Sequence, residues 1–369
     1  MKLVNVLMDI VYVILQRRLS SARYLIKTGL ILLSLGIPSL IFSFTYQDYS
    51  FLVDTANSPT PVILSNLIGW LGAITILFGI ILEGYTHFYG EAQAKKRAKS
   101  IDLRSLNGAA APTLSDSFEQ TIETAGINHD LFLWKDEDES QTQWLKESVS
   151  IFNNFAKVNL ARMNSFEPQK PLALGAIAHV PHCFVLGFLV GNKRLTQFYC
   201  WNRNTDKADK NRWLDCRDKR SRGQSLHKPV TIIMNDSIND TGVKKVGLSI
   251  EISDSSDVNL FKQKLDLDVV AKLEVPNKYI GNMFSEREQV AFVTQVREFI
   301  NSEVNTRYPN VEEVHITILA QCSLVMRIGA EFNQNHIPNK VFIYHFNRTR
   351  YEWCFYMSPN SRKINFKEL

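Results

Sequence analysis

Two long runs without a single charge break the polar pattern of the chain near its start: Thr28 to Tyr46 (TGLILLSLGIPSLIFSFTY) and Val62 to Leu82 (VILSNLIGWLGAITILFGIIL). About 20 apolar residues at 1.5 Å each span a bilayer's hydrocarbon core, so each run predicts a transmembrane helix, the first kinked at Pro38. After residue 100 the pattern changes. Gln143 to Met163 places Trp144, Val149, Phe152, Phe155, Val158 and Leu160 at helical spacing, and Pro168 and Pro171 close that element. Leu172 to Val180 (LALGAIAHV) is continuously apolar, the signature of a strand buried on both faces of a parallel sheet. Val246 to Ile252 (VGLSIEI) reads as another strand, and Ser285-Glu286-Arg287-Glu288 as a capping box opening a helix against the sheet.

Charge orients the spans. Arg17, Arg18, Arg23 and Lys27 precede the first, and Lys95, Lys96, Arg97, Lys99 and Arg104 follow the second, while the loop between them carries Asp48 and Asp54 and no base. The positive-inside bias therefore puts both termini in the cytoplasm. The pattern is not that of a cleaved signal peptide, because the first run starts late and a second follows. Met1 to Leu15 is too short to cross and reads as an interfacial helix. Ser65, Gly69, Gly72, Ala73 and Gly79 fall close to one face of the second span, where a neighbouring helix can approach closely; the pattern reads either as self-association or as the glycine content common to membrane helices.

The expected organisation is an interfacial segment (1–24), a first span (25–46), a short non-cytoplasmic loop (47–61), a second span (62–86), a basic juxtamembrane segment and linker (87–129), and a soluble domain (130–369). A repeat lies inside that domain. Ala178-His179-Val180-Pro181-His182-Cys183-Phe184-Val185-Leu186-Gly187 aligns with Ala320-Gln321-Cys322-Ser323-Leu324-Val325-Met326-Arg327-Ile328-Gly329. A strand run precedes each copy, LALGAI and VHITIL. Each continues into a further strand, Asn202-Arg203 or Asn347-Arg348, and then Trp213 or Trp353, with NTDKADKN inserted in the first copy. A duplicated strand-helix-strand unit implies an α/β fold with ligands beyond the carboxyl ends of the strands.

Composition adds limits. The 369 residues are 45% hydrophobic and 21% charged, enough for a sizeable core, and the net charge of +5 is modest and concentrated beside the spans, so no long nucleic acid is expected as partner. The five cysteines form no CxxC pair and read as reduced core residues. Phosphate-loop, GxSxG, HExxH and paired zinc-cysteine motifs are absent, and His179-x-x-His182 lacks companion ligands, so neither an enzyme nor a metal or cofactor site is expected. Ser253-Asp254-Ser255-Ser256-Asp257, after VGLSIEI, either caps the next helix or faces a ligand.

The stretch HITILAQCSLVMRIGAEFNQNHIPNKVFIYHFNRTRYEWCFYM, with VGLSIEIS upstream, resembles SAVED domains over about residues 130 to 358. One departure stands out: Ala320-Gln321-Cys322 occurs where the family often has Ala-x-Pro, and the proline is Pro181 in the first copy. The resemblance implies two fused Rossmann-like (CARF-like) halves behind two transmembrane helices. It also implies a receptor for a cyclic di- or trinucleotide made by a cognate nucleotidyltransferase in a bacterial CBASS antiphage system. Such an effector would oligomerise on binding and disrupt the inner membrane. The residues this implies for the ligand are Ala178, His179, Val180, Pro181, Ser253, Asp254, Ser255, Gln321, Cys322 and Ser323 at strand ends, Arg203 and Arg348 as cations, and Trp201 and Tyr344 as stacking groups. A membrane-anchored transferase, a ring nuclease and an anchor that recruits a partner are the alternatives.

Overall fold

The computed structural model describes residues 21–36, 41–46, 49–54, 62–94, 97–107, 111–119, 121–123, 129–166, 168–203, 212–234, 239–332, 340–358 and 363–369. The predicted interfacial helix and the inserted NTDKADKN lie outside them. The chain divides into Met1–Lys95 and Lys96–Leu369.

In the first unit, helix α1 (Ser21–Gly36) is followed by strands β1 (Ile41–Tyr46) and β2 (Tyr49–Asp54), then helix α2 (Val62–Ala94). The first apolar run is therefore not one continuous helix, as expected for 25–46. The helix stops at Gly36, before Pro38, which cannot donate a backbone hydrogen bond and disfavours helix in the residue ahead of it. The β-branched and aromatic residues that follow pair as an antiparallel hairpin, Ile41 opposite Asp54 and Tyr46 opposite Tyr49, which also takes up part of the expected loop. Within α2, Asn66–Gly84 has a mean hydropathy of 2.0 and is only 17% buried, so it is long and apolar enough to cross a membrane and is not the enclosed helix of a soluble core. The shorter apolar stretch of α1 is Tyr24–Leu33.

The small-residue face of α2 has a partner inside the chain. A Cβ at Gly79 would lie 2.9 Å from Ala22 O, and one at Gly29 would lie 2.8 Å from Gly72 O, so the two helices touch backbone to backbone. The predicted close approach holds, but its partner is α1 of the same chain. Trp70, Ile74, Leu77, Phe78 and Ile81 project from α2 uncovered.

The second unit begins at strand β3 (Ala98–Arg104), inside what the sequence suggested was linker. Its charges conceal it: Arg104 and Asp102 form a buried ion pair at 3.1 Å, and Arg104 also donates to Pro112 O at 2.9 Å, so neither charge faces water or membrane. Strands β4 (Ile122–Glu123) and β5 (Leu131–Phe132) pair parallel with β3. Helix α3 (Gln141–Asn154) runs on through a widened π-type turn at Phe155–Leu160. Then come β6 (Leu172–Ile177), α4 (Val180–Val190), β7 (Thr196–Trp201) and β8 (Trp213–Asp215), giving the sheet order β4-β3-β6-β7-β8.

The second half repeats this plan with β9 (Thr231–Met234), β10 (Lys245–Glu251), α5 (Val258–Lys264), β11 (Val269–Glu274) and α6 (Glu286–Phe299), the last again extended by a π-type turn. It closes with β12 (Glu313–Leu319), α7 (Cys322–Glu331), β13 (Lys340–Asn347), β14 (Arg350–Met357) and β15 (Ile364–Glu368), in the order β15-β14-β13-β12-β10-β11-β9. In each half three adjacent parallel strands (β3-β6-β7; β10-β12-β13) precede one antiparallel strand (β8; β14). The repeat thus includes the strand and the covering helix ahead of the quoted motif.

Two reciprocal details fix the equivalence. Ser105 N and Leu106 N both donate to Ile177 O, at 3.2 and 3.3 Å, as Ile252 N and Ser253 N both donate to Leu319 O at 2.9 Å. Helices α4 and α7 then cross at their aligned glycines: a Cβ on Gly187 would meet Met326, and one on Gly329 would meet Phe184, the residue aligned with Met326. One hydrophobic core runs continuously through both halves.

Candidate functional site

The pseudo-symmetric crossing brings the start of α4 and the start of α7 together at the carboxyl ends of β6 and β12. His179 and Gln321 hold the N-cap positions with extended backbones (ψ 148° and 151°), and neither side chain caps its own helix. Between the two starts opens a cleft of about 260 Å³. One wall is Ala178, Val180 and the β7 end, Cys200 to Arg203. The opposite wall is Ala320, Gln321 and Cys322, with Ser253 at the mouth and Ile280, Gly281 and Phe284 across the top.

The loop across the top is strapped in place. Gly281 (φ 84°) and Met283 (φ 62°) give it a backbone that side chains seldom adopt. Met283 O accepts from Gln289 Nε2 at 3.0 Å and from Gln321 Nε2, while Asn282 Nδ2 donates to Asn277 O at 2.7 Å. Lys278 reaches Glu251 and Glu274 at 2.7 and 2.6 Å. Glu251 is fully buried; its other oxygen accepts from Ser249 Oγ, Ser256 N and Ser256 Oγ, which shapes the turn presenting Ser253. Because Gln321 donates its Nε2 to a carbonyl, its amide orientation is fixed, and Oε1 has no partner among the described residues.

Of the fourteen predicted ligand residues, the structure gathers Ala178, Val180, Trp201, Arg203, Ser253, Gln321 and Cys322 around this cleft. Trp201 packs edge-on against Trp213 with ring centroids 5.2 Å apart and is half-buried; Arg203 is exposed at the rim. The others lie elsewhere. Tyr344 is 3% exposed, its hydroxyl 2.7 Å from His315 Nδ1, because alternation along β13 turns Phe342, Tyr344 and Phe346 to the sheet face away from the seam. Arg348 occupies the exposed β13–β14 turn at φ 50°. Ser323 is fully buried and accepts from Gln289 Nε2 at 2.9 Å, and Pro181 is buried in the first turn of α4. Asp254 and Ser255 are exposed and bond to each other, while Asp257 caps α5 by accepting from Leu260 N at 3.0 Å.

His179 turns its ring away from the cleft into a cluster with His345 (4.9 Å) and Trp144 (5.6 Å). Burial first, then the neighbouring His345, holds its pKa at about 4, so the imidazole is neutral. His182 beside it is fully buried and pushed well down by the same burial. No group of three or more His, Cys, Asp or Glu suited to a metal occurs among the described residues. The expected capping box at Ser285 does not close: Glu288 instead accepts from Arg222 N at 3.2 Å and Gln224 N at 2.6 Å, tying the connector between the halves to α6.

The fourteen predicted residues omit Cys200, Asn202, Ile280, Gly281, Phe284 and Ala320 of the cleft lining. Asn202 stood in the repeated Asn-Arg pair beside Arg203, which was the available signal; the loop residues repeat nothing and carry no motif.

A comparison with curated protein sequences finds no match. Among solved structures, those similar to the chain include Acinetobacter baumannii Cap4 SAVED/CARF-domain containing receptor with the cyclic trinucleotide 2'3'3'-cAAA (13% identity, TM-score 0.44). The same receptor with 3'3'3'-cAAA gives 15% and 0.42, and each covers 78% of this chain and 59% of the receptor. The Moraxella osloensis Cap4 receptor gives 15% and 0.39, covering 79% and 58%. The chain therefore spans less than two thirds of those receptors' length. The profile of the SAVED-fused 2TM effector domain matches residues 1–128, and that of the SAVED family, the SMODS-associated and fused to various effectors sensor domain, matches residues 153–357. With more than half of its length in that match, and with two duplicated α/β halves behind an apolar helical unit, the chain belongs to the SAVED family.

Proposed function

We propose that this chain is a membrane effector of a CBASS-type antiphage system, in which the SAVED domain binds a cyclic oligonucleotide and thereby assembles its membrane helices into a bilayer-disrupting cluster. The observation that carries this reading is the cleft where two duplicated helix starts converge. Backbone amides of the first turns and the Arg203 guanidinium favour phosphate, and Trp201 offers a ring face for a base. The cyclic trinucleotides bound by the Cap4 receptors support the same ligand class.

Size supports assembly. A cleft of about 260 Å³ is smaller than the roughly 300–1,000 Å³ that encloses a drug-sized ligand. A ring of two or three nucleotides held there keeps part of its surface outside, available to a second copy. Two similar but unequal halves join head to tail without closing into a dimer. Each added chain then raises the local concentration of spans. Both termini lie in the cytoplasm, where a cognate nucleotidyltransferase delivers the ligand, and the protein performs no chemistry on it.

The test uses the full chain in liposomes loaded with a self-quenched dye, titrated with a panel of cyclic di- and trinucleotides while particle mass is recorded in parallel. One ring is expected to bind, raise the mass and release dye. Binding without a rise in mass refutes the assembly step, and absence of binding across the panel refutes the ligand class.

A further inference from the structure

Four of the five cysteines lie near the seam, and two of them meet across it. Cys322 opens α7 and Cys183 sits in the first turns of α4, so they come from different halves. Their sulfurs converge on one backbone oxygen: Cys183 Sγ lies 3.8 Å and Cys322 Sγ 3.7 Å from Ala178 O. Their surroundings differ. Cys183 is fully buried, whereas Cys322 lines the cleft and reaches solvent through it.

The environment makes Cys322 the nucleophile of the pair. The neighbouring Cys183 thiol comes first, and together with the Ala178 contact and the Arg203 charge it outweighs burial and holds the Cys322 thiol at about 7. Its place in the first turn of a ten-residue helix adds the positive end of the helix dipole. The other seam thiols are pushed up by burial, Cys216 to about 11 and Cys200 well above its ordinary value. An accessible thiolate with a resolving thiol at its side is the arrangement of an oxidisable pair.

We infer that Cys322 is a modification site at which hydrogen peroxide drives formation of a Cys183–Cys322 disulfide, stapling the two halves together at the floor of the cleft. The Cys322 thiolate attacks one peroxide oxygen, the O–O bond breaks, and the departing hydroxide takes the proton given up by Cys322, leaving as water with Cys322 as a sulfenic acid. The Cys183 sulfur then attacks the sulfenic sulfur; the S–O bond breaks, and hydroxide leaves with the Cys183 proton as a second water. Two thiols lose two electrons and one peroxide gains them, giving one disulfide and two waters.

The staple restrains the α4–α7 crossing and places a sulfur bridge against the cleft wall. It is independent of which ligand the cleft holds. The experiment treats the full chain in detergent with hydrogen peroxide, quenches with catalase, and alkylates all remaining thiols after unfolding. Alkylation is expected to fall from five groups to three, with a peptide map joining Cys183 to Cys322 and a higher melting temperature that reverts with reductant. Cys183→Ser is expected to stop at a sulfenic acid trapped by dimedone on Cys322, and Cys322→Ser to keep all four remaining thiols. Five alkylated thiols after oxidation, a bridge to Cys200 in place of Cys183, or a melting temperature that does not move would overturn the inference. The melting temperatures of the reduced serine variants check that both fold.

Discussion

Replacing Gly187 with alanine tests the pseudo-symmetric crossing on which the cleft depends. The new Cβ would overlap Met326 O and lie 2.7 Å from Met326 C and 2.9 Å from its Cα. Non-bonded carbons settle at about 3.5–4.0 Å, so α4 and α7 must part by about 1 Å. Neither obstacle is a side chain that can swing aside, which places the overpacking cost at the upper end of the usual range, about 3 kcal/mol. Alanine regains about 1 kcal/mol of helix propensity over glycine, leaving a net loss of about 2 kcal/mol. At about 2–4 °C per kcal/mol for a unit of this size, the melting temperature is expected to fall by about 4–8 °C. Tryptophan fluorescence reports it, since Trp144, Trp213 and Trp353 are buried in this unit. Gly329→Ala is expected to act in the same direction but less, because its nearest carbon, Phe184 C, is 3.1 Å away. The double variant is expected to lose less than the sum, because the helices part only once. An unchanged or raised melting temperature in Gly187→Ala would refute the backbone-to-backbone crossing.

Trp201→Ala is expected to weaken ligand binding by about 1–3 kcal/mol, roughly 5- to 150-fold in calorimetry, and Arg203→Ala to weaken it about tenfold with a shallower salt dependence. Tyr344→Phe is expected to leave affinity unchanged while costing about 1 kcal/mol of stability through the lost bond to His315, so a large loss of affinity would overturn its placement away from the seam. Gln321→Glu sets a carboxylate against Met283 O where an N–H stood, so faster amide exchange in residues 277–284 is expected, and unaltered exchange would show the strap to be unimportant. Stability should also depend on pH. His179 and His315 are held at about 4 by burial, and His182 and His345 are lowered too; each is neutral in the fold and protonates in the unfolded chain below about 6.5. Their contribution is therefore full above pH 6.5 and lost as pH falls toward 4. Asp102, raised to about 6 by burial, works in the opposite direction, with Asp130 beside it. Four imidazoles outweigh two carboxyls, so a melting temperature that rises between pH 6.5 and 4 would refute the cluster's neutrality.

The repeat was legible because it is written in residues that have no substitute. Gly187 and Gly329 are the only side of the crossing that admits a carbonyl, and the apolar runs before Ala178 and Ala320 are buried on both faces, so both copies kept the same spacing. Strand β3 escaped because its charges neutralise each other through a fold no local pattern encodes. Pocket membership depended on strand parity. Tyr344 and His345 are neighbours, yet only His345 faces the seam, and it packs against His179. Parity is set by register, and register by pairing with other strands: along β13 the alternation runs unbroken from Phe342 to Phe346, while the bulge beside it falls on β14, where Glu352 is skipped. The loop over the cleft owes its form to Met283 O and to the glutamines and lysine that hold the loop from distant elements.

The first unit bears on why such an effector would be silent without ligand. Close helix approach in lipid comes from small residues that let backbones meet, and in α2 those residues, Gly72 and Gly79, are already committed to α1. What remains is a face of Trp70, Ile74, Leu77, Phe78 and Ile81, which lipid chains solvate as readily as another helix would. Association through that face has little drive of its own; under the proposed function the drive comes from the soluble domain, where ligand supplies it. Residues 1–95 fused to an obligate soluble oligomer should then permeabilise liposomes without any nucleotide, and the same residues fused to a monomer should not. Equal leakage from both fusions would mean that the spans assemble unaided, and that ligand acts by releasing a restraint instead of by bringing chains together.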